Sequence, residues 1–297
     1  MKTKHVILLS SMVLFGACTS QPNGSYPAAK KDKTVDTYFD TEVADPYRWL
    51  EDETSKETEA WVETENKVTD AYLSKIPFRD KLKQRLTELT DYEKIGSPFK
   101  KNGKYYYFKN DGLQNQSVLY VKETLDSESR VLLDPNKLSE DGTVALSSIS
   151  FSNNGKYMAY SISRSGSDWN EIYVIDLSTG KLMDDHLEWV KFSRPAWKGD
   201  GFFYSAYNAP TSGKEHSNVN VNHKIYYHKL GEPQSSDELI YQNPLEPRRF
   251  YSAETSEDER AMFVYAAGGG SGNDLYFKDQ RKEVSSIIPM TYDDNYT

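Results

Sequence analysis

Ser271 stands in the run Gly268-Gly269-Gly270-Ser271-Gly272-Asn273, the stretch of this chain that comes nearest to a hydrolase nucleophile motif. A nucleophile elbow needs Gly-x-Ser-x-Gly between a strand and a helix, because the strained turn leaves no room for side chains two positions either side of the serine. In the register Gly269-Gly270-Ser271-Gly272-Asn273 the last required glycine is Asn273. Upstream lies AMFVYAA (261–267) and downstream DLYF (274–277), both strand-like, so the glycine-rich link reads as a hairpin connection and Ser271 as a turn residue. A triad would also need a histidine base. Beyond the leader the candidates are His186, His216, His223 and His228. His223 and His228 flank or lie in one strand at an odd separation, which places them on opposite faces if both are extended. His186 follows Asp184-Asp185 and reads as an ordinary turn residue.

Other chemistries have still less support. HExxH and paired cysteines are missing, and Asp293-Asp294 lacks the spaced oxygens and glycine of a calcium loop, so no metal is expected. Neither a Walker pattern nor GxGxxG occurs, and no cofactor is expected. Lys100-Lys101 and Arg248-Arg249 read as isolated solvated charges. With 36 basic against 45 acidic residues, the net charge of -9 disfavours binding to nucleic acid.

The elements that would position any site change character along the chain. Its 297 residues allow one large domain with a small appendage. Residues 1–18 carry Lys2, Lys4 and His5, an apolar run from Val6 to Phe15, then small residues before Cys18, a secretory signal pattern too short to span a membrane. Cys18 is the only cysteine, so an intrachain disulfide is excluded. Leu14-Phe15-Gly16-Ala17-Cys18 resembles a bacterial lipoprotein cleavage box, with Phe15 replacing the usual aliphatic residue; an ordinary signal peptide is the alternative. Lipidation at Cys18 would make the protein an exported periplasmic or outer-membrane-anchored lipoprotein. The polar stretch 19–34 reads as a flexible tether.

Residues 35–95 are expected to hold a helical segment. Thr54 and Glu57 make a capping-box signature, and Trp61, Val68 and Tyr72 follow at helical spacing to about Leu73. Pro77 breaks the helix, and Phe78, Leu82, Leu86 and Leu89 form a second stripe. Two short helices bury little between themselves, so the stripes are expected to dock on something else.

From 96 to 297 an approximate repeat takes over. Four segments begin alike at Asn102, Asn154, Asp200 and Asp258, each a polar turn leading into an aromatic-rich strand. Second strands follow at 117–123, 171–177, 224–230 and 274–280, and some lead to a third short run such as RVLL (130–133) or ELIY (238–241). Units of three or four antiparallel strands recurring at this interval mark β-propeller blades; a β-sandwich predicts no such recurrence. The expected fold is mainly β, an incomplete propeller of about four blades preceded by a helical segment.

Several separated motifs then occur in a known order. DPYRWLED (45–52), SGSDW (165–169), EWVKFSRPAW (188–197) and HKIYYHKLG (223–231) resemble the N-terminal portion of the prolyl oligopeptidase family of serine peptidases, from about Asp36 to the last residue. The resemblance implies a seven-bladed propeller capping an α/β-hydrolase domain that cleaves proline-containing peptides after proline with a Ser-Asp-His triad. It implies that Trp49, Trp61, Leu82 and Leu86 dock partly on that hydrolase, and that the triad would follow residue 297. This chain is thus expected to hold no catalytic residue and to be an inactive fragment by itself. By motif, Phe192 and Phe250 match positions that border the pocket for the proline side of the substrate, an apolar wall suited to a ring that offers no donor. Blade-core packing is the competing role for both. The competing function is a noncatalytic, lipid-anchored propeller that binds peptides or proteins.

Overall fold

The structure is a computed structural model, and it describes residues 26–52, 55–213, 215, 216, 218–268, 272–282 and 286–290. The leader, Cys18, Thr54, Ser271 and Asp293-Asp294 lie outside the described residues. Two compact units divide the chain, Met1–Arg79 and Asp80–Thr297.

In the first unit a hairpin that the sequence pattern does not announce pairs Val35–Tyr38 with Thr41–Ala44. Helix α1 (Lys56–Leu73) is capped by Ser55, whose side chain accepts from the Thr58 amide. Thr58 in turn donates its hydroxyl to the Trp49 carbonyl. Trp49 and Trp61 meet edge to face at 6.3 Å. Arg48 ties this corner together through Asp36 and Asp45.

Helix α2 (Arg79–Thr90) follows Pro77 as the stripe predicts, yet it has no buried residue. Phe78, Leu82, Leu86 and Leu89 are each more than half exposed. The apolar face required by the sequence is formed and left bare.

The rest of the second unit is antiparallel sheet. Among the described residues there are four four-stranded layers. The first holds Phe99–Lys101, Lys104–Asn110, Val118–Lys122 and Arg130–Leu133, with Lys94–Ile95 extending its inner edge. The second holds Val144–Phe151, Tyr157–Arg164, Asn170–Asp176 and Lys181–Val190. The third holds Ala196–Lys198, Gly201–Ala206, Lys224–Lys229 and Glu238–Tyr241. The fourth holds Phe250–Thr255, Ala261–Ala267, Asn273–Asp279 and Ile288–Pro289. A single bridge, Val190 to Ala206, joins the second and third into one continuous sheet.

The second and third layers bury both faces, which explains why Tyr157–Arg164 and Gly201–Ala206 lack polar alternation. In Tyr157–Arg164, Met158, Tyr160 and Ile162 pack toward the first layer, while Ala159 packs toward the third. Phe202 and Tyr204 pack back on the second layer, and Phe203 faces the fourth. Three apolar clusters therefore lie between successive layers, the face-to-face stacking of propeller blades. His186 is a strand residue opposite Tyr173, which corrects its reading as a turn. The two strands around Ser271 pair antiparallel from Ala267–Asn273 onward, as the hairpin expectation requires.

Candidate functional site

The first strands of all four blades line one open cleft of about 790 Å³, with Phe99, Phe151, Phe192, Arg194, Trp197 and Glu254 among its walls. Three of its hydroxyls are engaged with the main chain. Ser150 donates to the Pro195 carbonyl, Thr255 donates to the Trp197 carbonyl, and Ser193 accepts from the Ser205 amide. No histidine lines it among the described residues. The cleft offers a chain apolar surface, and none of the described hydroxyls lining it has a histidine beside it in the lining.

Phe192 stands at the edge of this cleft on a segment held at every other position. Next to it, Lys191 is buried, with Nζ 3.0 Å from Asp168 and 4.0 Å above the Trp169 ring. The lysine holds the Asp168 carboxyl below its usual range. Arg194 donates twice to the Ile149 carbonyl. Phe192 itself has φ +51 and is 53% exposed. A bulky residue in the left-handed region carries a conformational cost that persists only where its surroundings impose it. Blade-core packing does not describe a ring so exposed. Phe250 opens the inner strand of the fourth blade and brings its ring to 5.1 Å from that of Phe192, so the two residues chosen by motif are neighbours in space.

Arg249 is no free charge, because it pairs with Glu246 at 3.1 Å and with Asp274. Beside it the cluster that the sequence reading missed begins at His223. Its ring is fully buried between the Lys191 carbonyl, 3.0 Å from Nε2, and the Tyr251 amide, 2.9 Å from Nδ1. Burial pushes its pKa down to about 4 against the opposing Lys191 carbonyl.

A second missed cluster surrounds His228, which binds Asp237 through Nδ1 at 2.8 Å and Asp185 through Nε2 at 3.0 Å. Burial would lower the imidazole, but the hydrogen bonds and charges of both carboxylates hold it up at about 9. Tyr204 donates to the other oxygen of Asp237, and the Gly231 amide donates to Asp185. Gly201, paired with Lys229 on the neighbouring strand, has no alternative, since a Cβ there would collide with the His228 carbonyl. An Asp-His-Asp array of this kind has no hydroxyl nucleophile on the ring and is spent on joining the second blade to the third. Its only trace in the sequence is three ionisable residues in or beside strands, at no motif spacing.

His186 stacks on Tyr173 and reaches Glu171 at 2.9 Å. Burial would raise Glu171, but hydrogen bonds from Arg164, Tyr173 and His186 bring it down to about 2. His216 lies in the loop between Gly201–Ala206 and Lys224–Lys229. The described histidines therefore sit in separate environments, and no three or more His, Cys, Asp or Glu among the described residues are grouped to hold a metal ion. No described helix is long and apolar enough to cross a membrane.

Residues 26–297 match the family model described as the prolyl oligopeptidase N-terminal beta-propeller domain. The chain belongs to the prolyl oligopeptidase family. Among curated proteins it is 48% identical to a prolyl endopeptidase of Elizabethkingia meningoseptica, over 99% of this chain and 42% of that protein. It is 36% identical to prolyl oligopeptidase A of Amanita bisporigera, over 84% of this chain and 37% of that one. Among solved structures, prolyl oligopeptidase B of Galerina marginata bound to a 25mer macrocyclization substrate superposes with a TM-score of 0.74 at 30% identity, covering 92% of this chain and 42% of that one. The chain thus spans about two-fifths of the length of these relatives, and the four blades form a partial propeller of the prolyl oligopeptidase type.

Proposed function

We propose that this chain is the substrate-admitting part of a prolyl endopeptidase that hydrolyses proline-containing oligopeptides after proline, and that the Ser-Asp-His chemistry resides outside these 297 residues. The observation that carries the reading is Phe192, exposed on a strained backbone at the lip of the cleft and paired with Phe250. Two apolar rings can sandwich a pyrrolidine, which has no donor to satisfy, while the cleft walls accept the flanking peptide. The bare stripe of Leu82, Leu86 and Leu89 is assigned to the α/β-hydrolase domain that the family resemblance implies.

The test has two arms. The purified chain should not turn over a chromogenic glycyl-prolyl substrate. NMR titration with a blocked glycyl-prolyl peptide should shift the Phe192 and Phe250 rings, and Phe192→Ser should abolish the response. Turnover by the chain alone, or binding indifferent to Phe192, would sink the reading.

Export with acylation at Cys18 is a further part of the proposal, supported by the Leu14–Cys18 box. Metabolic labelling with an alkynyl fatty acid should mark the wild type and not Cys18→Ser. A wild type that is exported but unlabelled would instead favour an ordinary signal peptide.

A further inference from the structure

Phe192 and Phe250 belong to different parts of the chain. One follows the last strand of the second blade, the other begins the first strand of the fourth, and no shared element sets the distance between them. The backbone of Lys191, one residue before Phe192, and the backbone of Tyr251, one residue after Phe250, are both bonded to the same imidazole. His223 accepts the Tyr251 amide on Nδ1, so the ring must be the neutral Nε2–H tautomer and donate to the Lys191 carbonyl. Its own ring is edge-on to Phe192 at 6.4 Å and backed by Tyr207 at 4.4 Å, which leaves it no room to swing.

The geometry points to His223 as a positioning residue that sets the separation and tilt of the Phe192–Phe250 pair, and through it the fit of the proline ring. This rests on the reading of those two rings as the proline-side wall. The residue must donate at one end and accept at the other, across a gap from a buried carbonyl to a buried amide. Imidazole spans that gap, and so does a carboxamide; an alkyl chain leaves both backbone groups unsatisfied. Lys191 completes the brace from the other side. Its ammonium is fixed by Asp168 and the Trp169 face, so the peptide that bears Phe192 is held at both its side chain and its carbonyl.

The test uses the 297-residue chain with 4-fluorophenylalanine placed at position 192 and a blocked glycyl-prolyl peptide as probe. His223→Leu should move the 19F resonance and raise the peptide Kd by about tenfold, the order expected for losing an aligned contact. His223→Gln should restore both. A 19F resonance and Kd unchanged in His223→Leu would overturn the assignment, as would a failure of His223→Gln to restore the resonance. If the wild type ignores the peptide, the substrate reading fails, while the 19F comparison still decides whether His223 sets the ring pair. Should His223→Leu not fold, 15N shifts of the wild-type imidazole take its place. An Nε2–H tautomer with Nδ1 hydrogen-bonded is required, and an Nδ1–H or rapidly exchanging ring overturns the assignment.

Discussion

His223 and His228 stand at the two ends of one strand, and their surroundings put them in opposite protonation states. Both rings are buried. His223 hydrogen-bonds to main-chain groups, one carbonyl and one amide, and a neutral ring satisfies both. His228 meets two carboxylates, and only the imidazolium can donate to both. Burial works against charge at each site, but at His228 two anions outweigh it. The comparison teaches that burial by itself does not fix a histidine's charge; the number and sign of its partners do.

The largest effect expected follows from removing the charge at His228. His228→Leu leaves Asp185 and Asp237 facing one another without a cation and should cost about 3–5 kcal/mol in urea unfolding at neutral pH. Adding Asp185→Asn and Asp237→Asn should recover part of the loss, and no recovery would show that the carboxylates are not the source.

The pH profile should separate the two rings. The folded pKa of His228 lies near 9, above the unfolded value of about 6.5. Its contribution is therefore complete below pH 6.5 and is lost as pH rises through 9, on the order of 3 kcal/mol. The folded pKa of His223 lies near 4, below its unfolded value, so its contribution is present above pH 6.5 and is lost as pH falls toward 4. Unfolding free energies measured from pH 4 to 10 should show both limbs. His223→Gln should flatten the limb between pH 6.5 and 4, and the His228 triple variant should flatten the alkaline limb while also removing the contribution of Asp185 at the acid end.

Smaller effects sharpen the contrast. Tyr204→Phe removes one donor from Asp237 and should cost about 1–2 kcal/mol, because the hydrogen bond is buried and made to a charged group. His186 provides the limiting case. It also binds a carboxylate, but at the surface, and His186→Ala should cost less than about 1 kcal/mol by thermal melting. A loss as large as that of His228→Leu would mean that exposure is not what distinguishes them.

Much of this fold is legible in the chain. Four polar turns followed by aromatic strands mark the four blades; in the two interior ones a strand buried on both faces needs large apolar residues at odd and even positions alike, and Tyr157–Arg164 and Gly201–Ala206 show that pattern directly. The inner strands were harder to read. Phe99–Lys101 and Ala196–Lys198 have three residues each, too few to show a period, and are fixed by pairing with the next strand. The helix stripes were equally clear, and the structure leaves the second of them bare. For the site, the family resemblance gave Phe192 and Phe250, but nothing in their neighbourhoods indicated the bridge through His223. Strand parity placed His223 and His228 on opposite sides, yet left their partners unknown.

The sequence by itself determined the repeat, the blade strands, the two helices and the unfitness of the Gly268–Asn273 link as a nucleophile elbow, because each depends on residues close together along the chain. Only the tertiary structure decided which histidine is charged, that Phe192 faces solvent on a left-handed backbone, and that Lys191, His223 and Tyr251 form one brace. Those properties depend on groups up to 60 residues apart in the chain (Lys191 to Tyr251), each brought within about 3 Å of the His223 ring by blade stacking. Protonation and ring placement respond to partners in space, and no local pattern encodes them.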